Sequence, residues 1–374
     1  MARAASICGT AWQDAYARLH AEATANATAG RHARILLFDT SGNGGLADRL
    51  TGMMTALLLA VLSDRALAID WPGHELAFQM PRFGDGSNAH LVAHARATPA
   101  NSMRRVEWLN KNRKQLLQLM TSDALRKVWP ERVVALRSNR GFTQGLVNAP
   151  SLADAVAARG LTSRNAQFGC LFNFLLRPTE AVLEPLAPLL AAMRRPDSVT
   201  VGVHIRTGDS AFVDEPNADA DAQRARGARL FAEHRFILEF ADGLAARLAA
   251  AYSPPRTARL LLLGDSQSLR AHAAEVYGEK LLLSNASVGH VARQQTALLS
   301  AVGEHWLYGY AHAFAYSSHS GFPRTAAARA MRDDALHTCF HYTGPLFNKD
   351  QPTARECTGP YSIPELGERH AAGL

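Results

Sequence analysis

The sequence predicts an α/β protein of mostly parallel sheets, divided into two domains. Three observations lead there. Arg34-Ile-Leu-Leu-Phe-Asp39, a glycine-rich turn, a helix-periodic stretch and Ala66-Leu-Ala-Ile-Asp70 make a β-loop-α-β unit, whose strands run parallel through a right-handed crossover. The second half repeats that alternation, with short apolar runs that stop at polar residues, as buried parallel strands do. The 374 residues exceed one average domain, and Arg194-Arg-Pro196-Asp197 is the best linker. The expected division is 1–195 and 196–374.

The elements follow in order. Residues 1–32 are alanine-rich and read as a peripheral helix. After the strand at 34–39, Thr40 to Gly45 is a turn, and Leu46, Leu50, Met53, Leu57 and Val61 recur at helical spacing. Residues 72–130 are less regular, with a basic helical segment around Trp108 to Met120. Glu131 to Arg137 is a strand, and helices are expected near 151–158 and 180–193. Val199-Thr-Val-Gly-Val-His-Ile205 is a strand that runs into Arg206 and Asp209, followed by a polar loop over 207–224. A long helix carries Leu230, His234, Ile237, Ala241, Leu244 and Leu248 on one face. Arg259 to Gly264 is a strand ending at Asp265, and Ser266 suits the cap of the next helix. A short strand at 280–284, a helix over 291–309, a strand at 313–317 and a helix from Pro323 to Asp333 complete the pattern, and the tail from 337 reads as irregular.

Composition narrows the function. Hydrophobic residues at 47% and charged residues at 20% describe a globular chain with a sizeable core. The net charge of +7 is dispersed rather than massed with aromatic residues, which argues against nucleic acid as a partner and leaves an anionic small ligand open. None of the four cysteines lies in a C-x-x-C pair, so no structural zinc is expected. His337-Thr-Cys339-Phe-His341 is spaced too tightly for an ordinary metal set, and a Cys339–Cys357 disulfide is plausible in an oxidising compartment. The longest apolar run, Met53 to Leu62, is too short to span a bilayer.

Candidate site residues gather at strand ends, where open α/β sheets bind ligands. Arg206 can grip a diphosphate with parallel charge-assisted bonds, with His204 beside a base or ribose and Asp209 holding Arg206 or capping the loop. Asp265 is either an acceptor for ribose or guanine donors or a turn residue. Ser317, Ser318, Ser320, Gly321 and Phe322 precede a helix, whose first N–H groups favour an anion; Pro323 suits the first helical position. Asn43, Gly44 and Gly45 allow close approach of a phosphate, but the stretch is neither G-x-G-x-x-G nor a P-loop. Asp48 and Arg49 lie in the next helical turn, and Glu304-His305-Trp306 reads as packed helix.

Taken in order, these segments resemble the fucosyltransferase superfamily that contains α1,2-, α1,6- and protein O-fucosyltransferases. The resemblance rests on Ser41 to Leu50 with Ser63 to Trp71, on His204-Ile-Arg-Thr-Gly-Asp209, on Leu262 to Asp265, and on Glu304 to Leu307 with Ala315 to Phe322. It implies a GT-B architecture: two facing Rossmann-like domains, the first on the acceptor side and the second holding the nucleotide sugar. It implies GDP-fucose as donor, inverting transfer to a glycan or glycoprotein, no required cofactor or metal, and Golgi or secretory-lumen localisation behind a membrane anchor upstream of this chain; a chain complete as given would be cytoplasmic. Arg206 matches the β-phosphate arginine, His204 the residue beside guanine, Ser318 and Ser320 the phosphate-contacting serines, and Asp265 a donor-site acid. Asp48, Asp209 and Asp39 are the candidates for a general base. The chain departs from the family pattern with Asp48 where Asn is usual, Glu304 where Asp is usual, and Pro323 in place of a frequent Gly. A transferase using another nucleotide sugar, or a binding protein without turnover, remain the alternative readings.

Overall fold

The computed structural model describes residues 8–40, 44–108, 129–139, 141–208, 218–286, 289, 291, 295–317, 320–332, 335–341 and 353–356. The chain divides into two units between Arg177 and Pro178. The division falls before the 195/196 expected from composition, because Leu186, Leu190 and Met193 bury against the second unit's Leu261 and Leu263.

The first unit is a four-stranded parallel sheet. Its strands are β1 (Ile35–Asp39), β2 (Ala66–Asp70), β3 (Met103–Trp108) and β4 (Val133–Ser138), in the order β2-β1-β4-β3. Helix α1 (Ala11–Thr28) and helix α3 (Ser87–Ala97) cover one face around Ile35, Leu37, Ala66 and Val133. Helix α2 (Leu46–Leu62) joins β1 to β2 as its periodicity predicts. It approaches so closely that a Cβ on Gly52 would stand 2.1 Å from the Ser138 carbonyl oxygen. Trp108, expected at the start of a basic helix, instead ends a strand; residues 109–128 lie outside the described residues. Helix α4 (Phe168–Leu175), which sequence periodicity did not single out, carries Cys170 into a disulfide with Cys8.

Strand β2 is an edge strand, and side chains bind its outer backbone groups. The Leu67 N–H donates to the Tyr16 hydroxyl at 2.9 Å, and the Leu67 carbonyl lies 3.0 Å from His20 Nε2. Asn88 does the same for Ile69, accepting from its N–H at 2.7 Å and donating to its carbonyl at 3.0 Å. An unpaired strand edge is thereby closed against another chain. Burial holds His20 neutral, its pKa pushed down to about 4.

The second unit carries six strands: β5 (Ser198–Ile205), β6 (Thr257–Gly264), β7 (Leu281–Leu282), β8 (Ala313–Ser317), β9 (Leu336–His341) and β10 (Thr353–Glu356). Their order is β10-β9-β8-β5-β6-β7, parallel except for β10. The tail expected to be irregular therefore adds two strands. Helices α6 (Ala220–Ala250) and α7 (Gln267–Tyr277) pack on one face against Val201, Val203 and Ile205. Helices α5 (Ala187–Met193), α8 (Gln295–Tyr308) and α9 (Gly321–Ala330) pack on the other, against Leu261, Leu263, Phe314 and Tyr316. Burying each such apolar strand side chain contributes about 1.5–3 kcal/mol, and β5 is buried along its whole length, its alternate positions Ser198, Thr200 and His204 included. Helix α6 begins earlier than the expected polar loop allows, since Asp219 caps it by accepting from the Ala222 N–H at 2.8 Å. Among the described residues no helix is long and apolar enough to cross a membrane.

Candidate functional site

In the second unit the chain runs from β5 to β6 and β7 on one side, then returns to place β8 and β9 on the other. The sheet order reverses between β5 and β8, which makes their carboxyl ends the crevice where such a fold binds ligands. His204 and Arg206 sit at the end of β5, Asp265 follows β6, Ser317 ends β8, and Ser320, Gly321 and Phe322 open α9. The structure thus brings together seven of the expected site residues. Asp209, Ser318 and Asn43 lie outside the described residues.

Arg206 is pinned from two sides. Its backbone N–H donates to the Ser317 hydroxyl across the crevice at 3.2 Å, and its Nη1 lies 3.1 Å from Asp265 Oδ2. Asp265 is almost wholly buried, and its carboxylate also accepts from the Thr207 N–H at 2.7 Å, the Thr207 hydroxyl at 2.9 Å and the Gly208 N–H at 2.9 Å. Gly208 makes that turn at φ +118°, a conformation only glycine adopts easily. The arginine partner in hand is therefore Asp265, with Thr207 and Gly208 as site residues that sequence reasoning passed over within the same motif.

Beneath this loop lies a buried ion pair. Arg270 bridges both oxygens of Glu304, at 2.5 and 2.9 Å, and donates to the Gly264 carbonyl; the Ser284 hydroxyl donates to Glu304. Glu304 is a packed residue, as its helical setting suggested. Ser266 caps α7, accepting from the Leu269 N–H at 3.1 Å.

His204 is buried, and its ring stacks on Phe322 with centroids 5.4 Å apart. His305 meets the same Phe322 edge-on at 5.5 Å and holds the Thr325 hydroxyl at 3.0 Å through Nε2. Burial pushes His305 well below the usual imidazole range, with Arg329 adding in the same direction. Tyr316, the register partner of His204, is pushed up to about 12 by burial, with nearby Arg324 pulling the other way. Ser320 is the residue before α9, and its N–H donates to the Ser317 carbonyl at 3.1 Å. Pro323 is third in the helix rather than first; its missing N–H still falls among the four without a helical partner, so it costs nothing.

The first unit has its own reversal, between β1 and β4. Gly45 precedes α2 and donates its N–H to Asp48 Oδ2 at 3.3 Å, so the carboxylate turns back onto its own helix start. Arg49 donates from Nε to the Gly44 carbonyl at 3.1 Å and lies over the Trp71 ring at 5.1 Å. Burial lowers its pKa. Arg137 at the end of β4 reaches Asp39 and Glu107, each at 3.1 Å. No group of three or more metal-ligating side chains exists among the described residues, and Cys339 is disulfide-bonded; its expected partner, Cys357, lies outside them.

No known family profile matches the chain, and no curated protein matches it. Solved structures do. Arabidopsis thaliana FUT1, solved as an arginine-to-lysine mutant in complex with GDP, is similar at TM-score 0.57 and 12% identity, over 89% of this chain and 78% of that one. NodZ alpha-1,6-fucosyltransferase co-crystallized with GDP gives a TM-score of 0.50 at 14% identity, over 87% of this chain and 98% of that one. The same enzyme, from Bradyrhizobium, soaked with GDP-fucose, gives 0.50 at 13% over 87% and 100%. At these identities the likeness is one of fold: the chain is an α/β protein with the GT-B-like fold of these fucosyltransferases.

Proposed function

We propose that the protein is a fucosyltransferase that moves fucose from GDP-fucose to a hydroxyl of a glycan or glycoprotein, with inversion at the anomeric carbon. One observation carries the reading: a guanidinium held at the reversal point of the second sheet, next to a helix start, in the fold of solved enzymes that bind GDP and GDP-fucose. The acceptor oxygen bonds to the sugar C1 as the C1–phosphate oxygen bond breaks. The leaving electron pair settles on the β-phosphate, and the acceptor proton passes to a carboxylate or to water. Arg206 and the first N–H groups of α9 stabilise the charge that grows on the diphosphate.

A guanidinium stays charged at any working pH and matches two phosphate oxygens, so Arg206→Lys fails along with Arg206→Ala. With that charge supplied by the chain, turnover is expected to persist in a chelator. Phe322, backed by His204 and His305, is the candidate wall for guanine. Asp48, Asp39 and Asp209 are the candidates for taking the acceptor proton. The disulfides at Cys8–Cys170 and at Cys339 support an oxidising compartment such as the secretory lumen.

A nucleotide-sugar panel tests the reading. GDP-fucose should raise Tm more than UDP- or CMP-sugars, and GDP should be released slowly without acceptor. A Tm rise confined to another nucleotide sugar would point to a different transferase, and a rise without GDP release would point to a binding protein.

A further inference from the structure

We infer that Asp265 serves the donor indirectly, as the positioning residue that sets Arg206 and the Thr207–Gly208 turn, and is not itself a ligand for guanine or ribose. The inference rests on the GDP-fucose reading above and assigns one residue of that site a different task from the donor-site acid implied by resemblance.

An ionised carboxylate accepts about four hydrogen bonds through its two oxygens. Oδ1 takes the Thr207 N–H and the Thr207 hydroxyl, while Oδ2 takes the Gly208 N–H and faces Arg206 Nη1. With the side chain only 5% exposed, a base or sugar donor would have to displace one of these four. The turn is fitted to the carboxylate as well, since φ +118° at Gly208 aims successive amides back at it.

The same arrangement fixes the arginine. Its backbone is tied to Ser317 and its guanidinium to Asp265, so much of the rotamer freedom a long side chain would lose on gripping phosphate is already gone. Asp265 is held in turn. Arg270 bonds the carbonyl of the residue before it, and Ser266 after it caps α7. This chain of contacts runs from Glu304 through Arg270 to the loop, all inside the second unit.

Calorimetric titration of GDP and of guanosine into the full chain separates the two roles. In Asp265→Asn an NH2 replaces one oxygen, so whichever way the amide turns it meets a backbone N–H. Affinity for GDP should fall about tenfold or more, with kcat for GDP-fucose hydrolysis falling too, while guanosine changes by less than about threefold. Thr207→Val leaves Asp265 in place and removes one bond to it. It should weaken GDP about two- to fivefold and leave guanosine alone, which keeps the test decisive if Asp265→Asn folds poorly. Equal losses for GDP and guanosine in Asp265→Asn, or unchanged GDP binding in Thr207→Val, would overturn the inference alone. A wild-type protein that binds no GDP would overturn the donor reading and the inference with it.

Discussion

The two sheets reverse their strand order in the same way but end in different electrostatic arrangements. In the first unit, Arg137 is met by two carboxylates, Asp39 and Glu107, while Arg49 is spent on a carbonyl and the Trp71 ring. In the second unit, Arg206 meets the Asp265 carboxylate, which also accepts from two amides and a hydroxyl, beside a helix start. The first arrangement is balanced toward anionic side chains and suits a hydroxyl-rich neutral ligand. The second sets a paired guanidinium beside the first N–H groups of a helix and suits a phosphate. Topology places a crevice in each sheet, and the side chains at the strand ends decide what charge it accepts.

The largest effect should separate the units by stability. Cys8→Ser with Cys170→Ser opens a loop of 162 residues and should cost about 4–5 kcal/mol, read as loss of a denaturant transition. GDP binding by the second unit should persist below the new midpoint, and simultaneous loss of both would show that the units do not melt apart. Next comes Arg206→Ala, expected to cut fucosyl transfer about 10²- to 10³-fold, with Arg137→Ala leaving GDP affinity unchanged. Equal losses from both arginines would erase the contrast.

Two glycines sharpen the comparison further. Gly52→Ala forces a Cβ against the Ser138 carbonyl and should lower stability by about 1–3 kcal/mol without changing GDP affinity. Gly208→Ala meets no atom within 4 Å, so its cost of about 1–3 kcal/mol is conformational and should appear as weaker GDP binding. The converse pattern would place the ligand in the first unit.

The smallest effect is one the units share. Burial holds His20 in the first unit and His337 in the second near a pKa of about 4, and His305 well below its usual value. Above about pH 7.5 each is neutral folded or unfolded, so nothing is lost. As pH falls below that, the unfolded chain binds protons that the folded chain refuses, and stability declines, by less than about 1 kcal/mol per histidine at pH 6. A Tm that stays flat from pH 7 to 5 would contradict neutral buried rings.

Much of this was legible in the chain because the signals were local. The β1-turn-α2-β2 unit and strand β8 follow from runs of adjacent apolar residues and helical spacing, and β5 from β-prone positions running into turn residues. Arg206 was readable because a strand end followed by a cation is a contiguous pattern. What stayed hidden depends on distant partners. The donors that commit Asp265 are 58 and 57 residues away, and Cys8 and Cys170 meet across a separation of 162 residues. The pairing of Tyr16 and His20 with the β2 edge was equally invisible, since nothing in an alanine-rich helix announces which strand edge it will close. Strand β9 was missed because Leu336 to His341 mixes polar and apolar residues in no regular period, without the continuous apolar run of its neighbour β8.

Titration of GDP into the wild-type protein, Arg206→Ala and Arg137→Ala decides which unit's arginine holds the phosphate. The wild type and Arg137→Ala should bind with the same affinity, and Arg206→Ala should bind about tenfold or more weakly, as expected when a charge-assisted phosphate contact is removed. Undiminished binding by Arg206→Ala, or weakening by Arg137→Ala alone, would contradict the account.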